Sequence, residues 1–176
     1  MGQDGAIAAS RGSRGAARLG RACIVGAVAL VVPLTACGDD PKDAAREGRV
    51  YAAVVRALVP VPDDTDDVDI DVYVVAADDD TSIPIGVQAA TVEELDEYSN
   101  VRFVDDRDEA TAVDEPGLPV RNDGVMIVVG PVPDRGERVT IDAQRYIDEV
   151  DHTEFRLVVE QQGQRWEVPE PPPLDG

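Results

Sequence analysis

From residue 41 onward the spacing of apolar positions changes several times along this chain, and each change marks a boundary between elements. Tyr51, Val54, Val55 and Leu58 recur at i, i+3, i+4 and i+7, the spacing that places side chains on one stripe of an α-helix. Ahead of them Asp40 suits the N-cap. Pro41 suits the first helical position, where its missing N–H costs nothing, and Asp43 complements the positive end of the helix dipole. These signals predict a helix over 41–58, stopped ahead of Pro60 because a proline disfavours helical backbone in the residue before it. From Val68 the period becomes two. Val68, Ile70, Val72, Val74 and Ala76 share one face and Asp67, Asp69, Asp71 and Tyr73 the other, which reads as a strand with one buried and one solvated side.

Ser82 and Pro84 open a second helical pattern in which Ile85, Ala89, Val92 and Leu95 recur on one stripe. Thr91 and Glu94 offer an alternative start as a capping box, and either start ends the helix near Asn100. A strand around Val101 to Val104 completes a β-α-β unit whose strands are expected to be parallel. Gly124 and Gly130 then bracket Val125 to Val129, apolar on both faces, which fits a strand in the middle of a sheet. Val139, Ile141 and Ala143 alternate again, and Tyr146 and Ile147 suggest a bulge. Phe155, Leu157 and Val159 point one way, Gln162-Gly163 makes a turn, and Trp166 and Val168 resume the inward face. The expected fold is α+β: one long and one shorter helix packed on a mixed, mostly antiparallel sheet of about six strands, forming a single domain over 41–168. Residues 169–176 follow as a proline-rich extended tail, since proline cannot donate to a sheet.

The N-terminal region follows a different pattern. Arg11, Arg14, Arg18 and Arg21 precede an uncharged run from Ala22 to Val32, too short to span a bilayer but of the size found in export signals. Leu34-Thr35-Ala36-Cys37 closes that run, and here the chain resembles bacterial lipoproteins, whose lipobox sets small residues before a cysteine. The resemblance implies that 1–36 is a lipoprotein signal peptide removed ahead of Cys37. It also implies that the Cys37 sulfur carries a diacylglycerol, with 37–40 as a short tether to the cell membrane on its extracytoplasmic face. The segments 101–106 and 124–131 are similar to stretches of uncharacterised actinobacterial exported lipoproteins, a likeness that implies no activity. Arginine outnumbers lysine 15 to 1, in keeping with a GC-rich bacterial genome.

Composition narrows the function further. The whole chain has 36 acidic and 16 basic residues and a net charge of -20, which excludes nucleic acid as the default partner. Removal of 1–36 leaves 12 basic and 35 acidic groups. It also leaves no free thiol, because Cys23 departs with the leader and Cys37 is lipidated. His152 is the only histidine, Ser82 and Ser99 are the only serines beyond the leader, and neither serine sits in an elbow motif. No glycine-rich phosphate cradle occurs. The carboxylates from Asp63 to Asp71 invite calcium, but a loop begun at Asp67 lacks the sixth-position glycine and twelfth-position glutamate of a helix-loop-helix site. Asp67, Asp69 and Asp71 therefore read as the wet face of a strand, and neither cofactor nor metal is expected.

Between the parallel strands and the central one lies the long acidic stretch 105–123. Loops of this length in compact domains are usually functional or disordered. Its Asp105, Asp106, Asp108, Glu109, Asp114 and Glu115 are the candidate interaction residues, facing a basic protein or a cationic solute. The sequence thus points to a non-catalytic, membrane-anchored binding module. The alternative is a small carboxylate-based hydrolase of cell-envelope polymers, because paired carboxylates are the one catalytic resource the chain has in quantity.

Overall fold

The computed structural model describes residues 40–59, 68–78 and 81–174. The segment 1–36 expected to be a signal peptide, the expected lipidation site Cys37, Gly38 and Asp39, and the acids Asp63, Asp64, Asp66 and Asp67 lie outside the described residues. In chain order the elements are α1 (Pro41–Leu58), β1 (Val68–Ala76), α2 (Ile85–Glu94), β2 (Tyr98–Phe103), α3 (Arg107–Ala110), a 3-10 turn (Arg121–Asp123), β3 (Val125–Val129), β4 (Arg138–Tyr146), β5 (His152–Gln162) and β6 (Arg165–Glu167). The fold is α+β with a mixed six-stranded sheet in the order β2-β1-β3-β4-β5-β6. β1 pairs in parallel with β2 and β3, and the remaining neighbours are antiparallel.

α1 begins as the sequence implies, with the Asp40 carboxylate accepting the Lys42 N–H at 2.9 Å. Its Val50, Val54 and Leu58 are fully buried on the sheet, each contributing about 1.5–3 kcal/mol of transfer free energy. α2 lies beside α1 so closely that a side chain on Gly48 would meet the Ala90 Cβ at 2.6 Å and the Thr91 N at 2.9 Å. β3 is central as its pattern requires. Val125, Ile127 and Val129 join the core under α1, and Met126 and Val128 join a second apolar cluster on the opposite face.

The order β2-β1-β3 explains that second cluster. β1 reaches β2 in one direction across the sheet, and β2 returns past β1 to β3 in the other. Parallel crossovers keep one hand, so connections that travel in opposite directions pass over opposite faces. α2 accordingly covers the α1 face. Residues 104–124 cross the other, where Ala110 and Val120 pack on Tyr73, Val75, Met126 and Val128. The stretch expected to be functional or disordered is ordered and also covers this face of the sheet. It holds a helix that the two-helix expectation lacks, and a lone bridge joins Thr111 to Val120.

Other expectations need correction for related reasons. α2 ends at Glu94 and not near Asn100, because β2 starts at Tyr98 and Leu95 makes the cap. Its buried positions are Val87 and Thr91, so the stripe read from Ile85, Ala89 and Val92 faces outward. No bulge interrupts β4. Tyr146 pairs with both Met126 and His152 in unbroken register and belongs to the second face, while Ile147 keeps the odd parity of Val139, Ile141 and Ala143. The tail after β6 forms no strand, and its Leu174 folds back on the core.

Candidate functional site

The most distinctive surface lies at the amino end of β3, where the loop before that strand meets the β4–β5 turn. The loop closes on itself: the Ala112 N–H donates to the Pro119 carbonyl at 2.8 Å, and the Leu118 N–H to the Glu115 carbonyl at 3.2 Å. Gly117 at φ 83° and Leu118 at φ 46° turn the chain through left-handed backbone. The turn is as well braced. Ile147 N–H donates to the Asp151 carbonyl at 2.9 Å, and the Asp148 Oδ1 accepts from the Val150 and Asp151 N–H groups, each at 2.7 Å. Three hydrogen bonds stitch the two segments together: Val120 N–H to Ile147 carbonyl at 2.8 Å, Glu149 N–H to Gly117 carbonyl at 2.9 Å, and Tyr146 Oη to Leu118 carbonyl at 3.0 Å.

This framework holds apolar side chains in water. Val150 is 92% exposed at the tip of the turn, and Val113 and Leu118 are 48% and 36% exposed on the loop. On the same two segments Asp114, Glu115 and Glu149 are exposed, with Asp148 and Asp151 half-buried. Hydrogen bonds from the Asp151 and Val150 backbones, with a smaller contribution from His152, hold the Asp148 carboxyl below the usual range, so it is ionised at neutral pH. Arg145 reaches Asp151 at 3.6 Å, and the Tyr146 and His152 rings lie 6.2 Å apart. Exposed apolar side chains interspersed with acids on braced backbone give these two segments the mixed apolar and charged character that protein-binding surfaces share.

The structure divides the acids expected to act together. Asp114 and Glu115 belong to this surface, whereas Asp105, Asp106, Asp108 and Glu109 surround α3. There the Asp106 carboxylate caps the helix by accepting the Asp108 N–H at 2.9 Å, and Arg107 turns inward to Gln144 at 3.0 Å. Val113, Leu118, Asp148, Glu149 and Val150 were missed by pattern reading. The available signal is Asp148-Glu149-Val150-Asp151, a valine set among acids between two strands, where no buried face asks for it.

Asp71 is not on a wet face. Its side chain is 10% exposed, beside Arg102 at 3.5 Å, and accepts from Asn122 Nδ2 at 2.6 Å. Asn122 also donates to the Tyr73 Oη at 3.2 Å, and the Arg102 guanidinium lies 5.8 Å from the Tyr73 ring centre. The carboxylate is used within the fold. Among the described residues no three metal-ligating side chains come together.

Carboxylates of the kind the hydrolase alternative needs line more than one cavity: Asp96, Glu97 and Glu167 one of about 600 Å³, and Asp142 and Glu154, with Arg107 and Arg156, one of about 560 Å³ above Val128. There Arg156 clamps Asp142 at 2.7 and 3.3 Å, which keeps that carboxyl below its usual range. A general acid needs the opposite displacement. Ser99 and His152 stand on β2 and β5, four strands apart, or about 19 Å at ordinary strand spacing, so they form no dyad. No family model, curated protein or solved structure matches this chain.

Proposed function

We propose that this is a lipid-anchored bacterial protein whose non-catalytic domain, on the extracytoplasmic face of the cell membrane, docks a basic segment of another protein. The observation that carries the reading is the acid-rimmed apolar surface of Val113, Leu118 and Val150. Nothing in the fold requires a valine at 92% exposure, yet two hydrogen bonds to Asp148 fix the turn that presents it. The anchor rests on the lipobox at Cys37. No described helix is long and apolar enough to cross a membrane.

The test is a photo-crosslinking residue placed at Val150 in the full chain in living cells. A discrete adduct with a basic protein is expected, and Leu118→Asp is expected to abolish it without changing the amount of folded chain. An adduct that survives Leu118→Asp, or one formed with an acidic protein, refutes the docking surface. Turnover of labelled envelope glycan that disappears in Glu154→Gln would instead establish the hydrolase.

A further inference from the structure

Thr81 to Val92 carries no charge in a chain that is 30% charged. α2 takes Ile85 to Val92 from this stretch and ends in Glu93 and Glu94. It buries Val87 and Thr91 and turns outward Ile85, 79% exposed, Ala89, and Val92, 48% exposed. At i, i+4 and i+7 these lie on one stripe, with the exposed Glu93 bordering its far end away from Ile85.

The position of that stripe in the fold limits what can cover it. α1 and α2 run side by side in the same direction: Gly86 lies against Ala44, Gly48 against Val87 and Thr91, and Arg49 pairs with Glu94 at 3.2 Å. Ile85 therefore stands at the end of the domain where α1 begins. Only Gly38, Asp39 and Asp40 separate Cys37 from Pro41, a reach of at most about 14 Å even when fully extended. The acid-rimmed surface is at the other end, since α2 leaves the carboxyl end of β1 and the 147–151 turn adjoins the amino end of β3.

We infer that the outward stripe of α2, led by Ile85, rests on the outer surface of the lipid bilayer and points the acidic surface away from it. The inference rests on the reading that Cys37 is lipidated. The anchor supplies the affinity, so the stripe has only to bias the orientation of a domain already held at high local concentration. Asp40, Asp43 and Asp78 are exposed at the same end and would be repelled by anionic headgroups, which fits a surface of zwitterionic lipid.

The experiment uses the full chain, processed and lipidated in a bacterial host and reconstituted into phosphatidylcholine vesicles. Ile85→Cys provides the single free thiol for an environment-sensitive dye, and Val150→Cys provides the distal control. Quenching by spin-labelled phosphatidylcholine is expected to be several-fold stronger at 85 than at 150. Adding Ala89→Glu and Val92→Glu is expected to bring the signal at 85 down to that at 150. A chain that carries fatty acid on Cys37 by mass spectrometry and floats with the vesicles, yet is quenched equally at both positions, overturns the contact and leaves the anchor standing. A chain with no fatty acid on Cys37 overturns the anchor and the contact with it.

Discussion

On one face of the sheet Val50, Val54 and Leu58 of α1 and Val87 of α2 meet Val72, Val74, Ile127 and Ile141, all fully buried. On the other, Ala110 and Val120, from a segment with one helical turn at each end, meet Tyr73, Val75, Met126 and Val128. Both covers exclude water, but they obtain their hydrogen bonds differently. A helix satisfies its own backbone, so α1 and α2 can be chosen for apolar contact. The 105–123 crossover has to satisfy its backbone through turns, the Asp106 cap, the Arg121 side chain donating to the Thr111 carbonyl at 2.8 Å, and bonds to the 147–151 turn. The irregular cover therefore buries little apolar surface and leaves its acids outside. That is also how it leaves Asp114, Glu115 and Leu118 exposed to solvent.

Leu58→Ala should produce the largest loss. It deletes a fully buried side chain under α1, and urea unfolding is expected to show about 2–5 kcal/mol of destabilisation. A loss below 1 kcal/mol would mean that α1 is not the principal cover.

The next effect separates the faces by pH. Burial on the α1 face, with Glu47 adding, pushes the Tyr51 hydroxyl from 10.0 up to about 12. Burial, then Glu97, raises Tyr98 to about 12 against the opposing charge of Arg56; the Tyr98 hydroxyl donates to the Val59 carbonyl. Because the folded value is raised, the stability it contributes is complete below pH 10 and is lost as pH climbs through 12. The loss is on the order of 2–3 kcal/mol for Tyr51. Thermal unfolding between pH 9 and 12 should show it, and Tyr51→Phe should flatten the profile; an unchanged slope would place that loss elsewhere.

Val120→Ala is expected to be the mildest of the three, about 1.5–2.5 kcal/mol from the lost methyls and the space they leave. If it equals Leu58→Ala, the crossover is as much a core element as the helices, and the contrast between the faces collapses.

The sequence by itself determined α1 from Pro41 to Leu58, β1, the central β3 and the β4–β6 meander, because each has its own period and boundary residues. It also supplied Asp114 and Glu115 of the candidate surface. Period identifies an element but does not say which side of it will be covered. Ile85, Ala89 and Val92 form as good a stripe as Val87 and Thr91, and only the close approach of Gly48 to α2 decided which stripe is buried. Tyr73 shares a strand face with Asp69 and Asp71, and only the return of the chain from β2 across β1 to β3 put it under Ala110 and Val120. The same crossover brought the 112–119 loop against the 147–151 turn and so assembled the Val113, Leu118 and Val150 surface. These contacts join residues far apart in the chain. They follow from strand order and connection handedness, which no local window of sequence contains.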